Sequence, residues 1–239
     1  MLPTWPGIRA FWSRPAVLGT LGLAVLFLVP RLLDLGTVLT VDAPSWRARA
    51  HTFMEAWVTG KLQNTFISGQ PGVTTLWVAG LALPWSSLRA SQTAMAIAVT
   101  IFSLMSLGLL RRLAGPAVAL AAGVFLALDP FFIAHSRVVH TDALLGVFLL
   151  LGLLALALAW NTRQARYLAY AGIATALAGL SKLFGFFLLL PAAFTLAAAP
   201  GAHLSWFRER LGRLLRFGVA TALTLLILWP VLLISPRTP

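Results

Sequence analysis

Residues 128–160 read LDPFFIAHSRVVHTDALLGVFLLLGLLALALAW. The second part, from Ala143 to Trp160, carries no charge and is nearly all apolar. A helix crossing a bilayer takes roughly 20 mostly apolar residues, so this run has close to the length of one span. The first part is the opposite. It holds two of the chain's six acidic residues, two of its four histidines and an arginine. A membrane helix entered from a loop this rich in polar chemistry decides the fold class and points to where function sits.

Working outward, the same apolar signal recurs. Seven candidate spans fall at about 16–33, 90–110, 116–128, 143–160, 167–181, 183–199 and 215–234. The third and fifth are short for a full crossing and call for tilt or local bilayer thinning. Of the 239 residues, 59% are hydrophobic and only 10% charged, against about a quarter charged in soluble domains. Strands with open edges are excluded in lipid because their backbone groups go unsatisfied. The expected fold is therefore an all-α polytopic membrane protein, one domain over 1–239, with about seven transmembrane helices. The chain has no cysteine, so disulfides and thiolate metal sites are excluded. Its net charge of +12 is spread over many loops, which reads as membrane orientation and contact with anionic lipid rather than nucleic-acid binding.

Arginines mark alternate connections: Arg9 and Arg14; Arg111 and Arg112; Arg163 and Arg166; then Arg208, Arg210, Arg213 and Arg216. The positive-inside tendency puts these on the cytoplasmic face. The N-terminus has a basic head and an apolar run without an A-x-A-like cleavage site, so an uncleaved first span is expected. On this topology Asp34, Asp42, Glu55, Asp129 and Asp142 all fall at the outer face, with Glu209 inside. Arg47, Arg49, Lys61, Arg137 and Lys182 share that outer face. A site at the outer membrane surface follows from the set.

The long outer loop, 34–89, is patterned. Trp46, Ala50, Phe53, Met54, Trp57 and Val58 recur at helical spacing, which predicts an amphipathic helix lying at headgroup depth. A turn at Pro71-Gly72 opens a second, more apolar helix. Asp42, just past the first span and before Pro44, has two readings: a helix-capping or turn residue, or a carboxylate able to act as a general base. Asp142 likewise reads as a cap for the run that follows it, as an orienter of Arg137, or as a substrate contact. Arg137 suits bidentate phosphate binding. Lys182 lies between two apolar runs, where a lysine either snorkels to the interface or neutralises an anion. His140 and Arg47 complete the candidate substrate-binding set. The His and Asp spacings match no metal motif, and neither metal nor cofactor is expected.

An acid after the first span, then PGVTTLW, LDPFFIAHSRVVHTDALL and GLSKLFGFFLLLP in this order resemble the phospholipid-carrier-dependent glycosyltransferases. That group includes protein O-mannosyltransferases and aminoarabinose transferases, which share the C-type glycosyltransferase fold. The likeness covers most of the chain, as the N-terminal half of a typical member. It implies transfer of a sugar from a polyprenyl-phosphate carrier to an acceptor hydroxyl on a protein, lipid or glycan, with inversion, at the outer face of a bacterial plasma membrane. It implies Asp42 as catalytic base, Asp142 as the acid of the second outer loop, and Arg137 and Lys182 beside the carrier phosphate. The mannosyltransferase branch needs no metal. The sequence departs from the family pattern where Ala43 and Gln70 replace the usual Glu and His, and it stops at Pro239, short of typical members. A partner chain completing the site, a non-catalytic homologue on the same fold, and a transporter of an anionic or lipid-linked substrate are the alternatives. The transporter reading would favour ionisable groups within spans and repeated halves. Here the ionisable groups collect at span ends.

Overall fold

The computed structural model describes residues 14–69, 71–85, 87–197 and 204–234. Arg9, Gln70 and the basic head before residue 14 lie outside them, as does the side chain of Arg208. The described residues form helices and no strand. In chain order these are α1 (Arg14–Leu32), α2 (Ala43–Val58), α3 (Val73–Leu81), α4 (Leu88–Ala114), α5 (Pro116–Leu128) and α6 (Pro130–Ser136). They continue as α7 (Asp142–Thr162), α8 (Ala165–Ser181), α9 (Leu189–Ala197), α10 (Leu204–Leu228) and α11 (Val231–Ile234). Short 3-10 turns at Leu62–Thr65, Leu83–Trp85 and Leu183–Leu188 link them.

Helix coincides with each of the seven apolar stretches. By length and composition three helices among the described residues can cross a membrane: Leu88–Ala114, Asp142–Thr162 and Glu209–Leu228. The pair α5–α6, bent by 67°, brings the count to four. Val17–Leu32 and Leu183–Ala197 are apolar but shorter, and α8, with 17 residues, is near 25 Å long at 1.5 Å per residue. The expected all-helical membrane fold is thus met, while several of the helices are shorter than a full span.

α7 is the hub, buried over most of its length on two sides, with Leu153 left exposed on a third. On one side Leu144, Val147 and Phe148 pack into a core with Met95 and Val99 of α4, Phe53 of α2, Leu76 of α3 and Leu180 of α8. On the other, Ala155, Leu158 and Ala159 meet Tyr167 and Leu168 of α8, Ala192 of α9 and Phe217 of α10. α8 is rich in Ala and Gly, so neighbouring backbones approach closely, as is usual between membrane helices. Thr221 of α10 reaches the Gly172 carbonyl at 3.1 Å.

The break between α5 and α6 has a specific cause. Pro130 has no N–H, so the Leu126 carbonyl one turn back lacks its helical donor. Arg31 of α1 supplies donors there. Its guanidinium, 0% exposed, reaches Leu126 O at 3.4 Å, Ala127 O at 3.0 Å, Phe27 O at 2.9 Å and Ser136 Oγ at 2.8 Å. The rings of Phe27 and Phe132 lie 4.9 and 5.0 Å from its carbon. Asp129 caps α6 by accepting from Phe132 N at 2.5 Å, one residue past the apolar stretch 116–128. Pro30 bends nothing of note, since α1 runs through it to Leu32.

Replacing Arg31 by Leu strips those carbonyls of their donors in a water-poor setting. The expected loss is about 2–4 kcal/mol, read as a lower melting temperature of the detergent-solubilised protein. Arg31→Lys should recover only part of it, because one ammonium cannot reach four acceptors.

Candidate active site

Four chain segments converge at the end of the bundle opposite the arginine-rich connections. The first leaves α1 through Asp34 and Gly36, both at positive φ, and lies along the start of α4. Gln92 holds it from both sides, accepting from Gly36 N at 2.7 Å and donating to Val38 O at 3.0 Å. Arg89 Nε donates to Leu35 O at 3.0 Å. Asp42 then occupies the N-cap position of α2, ahead of Pro44. Its backbone carbonyl accepts from Trp46 N at 3.0 Å, but its carboxylate makes no capping bond. The side chain stays 64% exposed and is left for other work.

The second segment is the turn into α3. α2 buries Ala43, Trp46, Ala50, Phe53 and Ala56 against α3 and the bundle, while Val58 of the expected apolar face is exposed. The tryptophans pack on one another and on protein: Trp57 and Trp77 lie 5.1 Å apart, and Trp77 Nε1 donates to the Leu228 carbonyl at 3.0 Å. Gly72 sits at φ +55°, and a Cβ there would fall 2.3 Å from the benzo edge of Trp46. Only glycine combines that backbone with that approach. Thr74 is tied to Ser181 at 2.6 Å, pinning the start of α3 to the end of α8.

The third segment, Arg137–Thr141, carries His140, and the fourth is the end of α8 with Lys182. Thr75 Oγ1 donates to the His140 carbonyl at 3.4 Å, and the ring stands edge-on to Trp46 at 6.2 Å. His140 Nδ1 lies 3.1 Å from Asp142 Oδ2, and its Nε2 lies 3.7 Å from Asp42 Oδ2. The other Asp142 oxygen accepts from Lys182 Nζ. The Lys182 turn folds tightly back on α8. Gly185 N donates to Lys182 O at 2.8 Å, and a Cβ on Gly185 would meet Ala178 backbone at 2.0 Å.

Asp42, His140, Asp142 and Lys182 therefore form one line of alternating partners. Asp142 is not the helix cap: the N-cap of α7 is Thr141, and Asp142 is the first helical residue with both carboxylate oxygens engaged by side chains. It orients His140 and Lys182 rather than Arg137. Arg137 caps the end of α6 and donates to the carbonyl of Leu33, at the exit of α1. Lys182 is half-buried and ion-paired with Asp142, which exceeds simple snorkelling. Arg47 sits half-buried one turn into α2, and Arg49 lies 5.2 Å over the Trp46 ring. Among the described residues no group of three or more His, Asp or Glu side chains is placed to hold a metal ion. The supporting roles of Gln92, Arg89, Gly72 and the Thr74–Ser181 bond are not readable from local pattern, although a glycine after Pro71 hints at a left-handed turn.

At the opposite end, Tyr167 hydroxyl accepts from Arg112 at 3.2 Å and from Arg166 at 3.5 Å. Arg213 reaches the Thr195 carbonyl there. The two ends of the bundle differ in charge as the sequence pattern predicts.

The sequence profile of the dolichyl-phosphate-mannose-protein mannosyltransferases matches residues 69–234, and the chain belongs to that family. The solved structure of the S. cerevisiae protein O-mannosyltransferase Pmt1-Pmt2 complex bound to the sugar donor is similar in fold. Its TM-score is 0.74 at 17% identity, over 96% of this chain and 35% of that one. The chain thus spans about a third of that relative's length. No curated protein sequence matches it. The family match begins past Asp42 and Arg47, and Asp42 joins the site through its 3.7 Å approach to His140.

Gly72→Ala is expected to cost about 1–3 kcal/mol through positive-φ strain and collision with Trp46. Adding Trp46→Phe removes the colliding atoms and should return the steric share. A double-mutant cycle on melting temperature measures that coupling.

Proposed function

We propose that the chain carries the donor-side active site of a membrane glycosyltransferase. It moves a sugar, mannose by family likeness, from a polyprenyl-phosphate carrier to an acceptor hydroxyl at the face bearing Asp42. The observation that carries this reading is the juxtaposition of an uncapped, solvent-facing carboxylate with a fixed lysine–aspartate pair across one imidazole. The donor's leaving group is a phosphate, so fixed positive charge stabilises the charge that develops on it. Lys182 supplies that charge, with Arg137 and Arg47 as further cations on the same end.

Asp42 acts as general base. The acceptor oxygen attacks the anomeric carbon while its proton passes to Asp42, and the bond from that carbon to the phosphate oxygen breaks with its electron pair leaving on the phosphate. A single displacement of this kind inverts the anomeric centre. Asp142, with both oxygens occupied, holds His140 and Lys182 in place instead of accepting the acceptor's proton. The arginine-rich end faces the cytoplasm by the positive-inside tendency, which puts the site at the outer surface of the membrane. Acceptor recognition draws on further segments or a partner chain, as expected where the solved relative is a complex of two proteins.

The test is transfer from polyprenyl-phosphate [14C]mannose to a Ser/Thr peptide in membranes. Asp42→Asn should lower the rate by about 10²–10⁴-fold, the usual scale of a positioned base, with the donor KM little changed. Undiminished transfer by Asp42→Asn would remove Asp42 from the role of base. Donor uptake into vesicles without covalent transfer would instead favour a transporter.

A further inference from the structure

We propose that His140 is the proton outlet of Asp42: a positioning residue that receives the proton Asp42 has taken and passes it to solvent. The inference rests on the glycosyl-transfer reading of Asp42. It starts from the tautomer. Nδ1 of His140 lies 3.1 Å from Asp142 Oδ2, and a carboxylate only accepts, so the single N–H of the neutral ring sits on Nδ1. That leaves a lone pair on Nε2, and the nearest acidic partner of Nε2 is Asp42 at 3.7 Å. A basic nitrogen facing an ionised carboxylate is a poor match, but it is a good match for a protonated one. The pair is therefore arranged for the state that exists just after Asp42 has acted. The gap closes by a small rotation of a carboxyl group that no cap restrains, and such bonds are often long before substrate binds.

The proton count closes. The acceptor O–H gives its proton to Asp42 as the new glycosidic bond forms and the phosphate leaves. Asp42 gives that proton to His140 Nε2 and is a carboxylate again. The imidazolium keeps its Nδ1–H on Asp142, whose other oxygen is held by Lys182. The ring is 26% exposed, so Nε2 can release the proton to water. The charged groups around the imidazole are Asp42 from α2, Asp142 from α7 and Lys182 from the end of α8. His135 and Arg137 belong to its own stretch of chain, and α3, which packs on it through Thr75, carries no ionisable residue.

The pH dependence follows in sign. When the ring is already protonated, Nε2–H pairs with the Asp42 carboxylate and the outlet is full, so the rate falls as pH drops through imidazole protonation. With His140→Gln the outlet is gone. The acidic limb should then move to lower pH, as follows when an imidazole leaves the proton path and only carboxylates remain on it. The same transfer assay, run as a pH–rate profile with polyprenyl-phosphate [14C]mannose and a Ser/Thr peptide, reads this. Expected for His140→Gln are a kcat about 10–100-fold lower, a donor KM within about twofold of wild type, a displaced acidic limb, and partial recovery on adding free imidazole. A uniform loss with an unmoved profile, or a wild-type rate and profile, overturns the outlet. A wild-type profile with no acidic limb above the carboxylate range overturns it without any variant, should His140→Gln fail to fold. If Asp42→Asn is inactive while His140→Gln behaves as wild type, only the outlet falls. If Asp42→Asn remains active, the base assignment itself falls.

Discussion

A proline without an N–H and an arginine with no counter-charge partner within bonding distance among the described residues account for much of this fold. Pro130 leaves carbonyls bare inside an apolar bundle, where water cannot serve them. Arg31 crosses from α1 to serve them, and by bonding also to Ser136 it fixes α6 beneath α1. The 67° bend between α5 and α6 is held by that contact. The bend in turn keeps the chain at the polar end of the bundle, where His140 meets Trp46 of α2 and Thr75 of α3. Without it, His140 would have no reason to lie between Asp42 and Asp142.

The polar end is built from short reaches between segments far apart in sequence. α7 and the end of α8 hold Asp142 and Lys182 together, α3 holds the His140 backbone, and α4 holds the strand of chain that leads to Asp42. Each contact is modest alone. Together they give a line of four ionisable side chains in which one carboxylate is fully committed and the other is not. This asymmetry separates the two acids: both oxygens of Asp142 are engaged by side chains, while the Asp42 carboxylate faces solvent without a capping bond.

Apolar run length made the helical elements legible, because a span-length run of Leu, Ala and Val such as 143–160 has no other stable form in lipid. Asp-Pro at 129–130 marked the end of a span, and Pro71-Gly72 marked the start of α3. Four of the residues that the sequence singles out, Asp42, His140, Asp142 and Lys182, do lie in one line of contacts. Their pairing was not legible. Asp142 was read beside Arg137 because they are five residues apart, yet its partner Lys182 lies 40 residues away. Arg31 gives no local signal at all, because its partner Ser136 is 105 residues distant. Spacing rules describe neighbours within a turn or two of helix, and these bonds depend on how whole helices stack. Trp46 shows the same limit. Its spacing placed it on an apolar face, but only the packed structure brings it onto Gly72 and edge-on to His140.

The three bonds that suspend residues 35–38 from α4 run to main-chain atoms: two carbonyls and one amide. Every amino acid offers a carbonyl at positions 35 and 38, so apart from Gly36 at its positive φ and the buried Leu35 this stretch can drift in sequence while keeping its shape. Mutational pressure concentrates instead on Gln92 and Arg89, more than fifty residues downstream. Divergence among homologues should therefore erase the lead-in to Asp42 sooner than its scaffold. A carboxylate carried on so sequence-neutral a tether is easily lost to alignment even where it is kept in space.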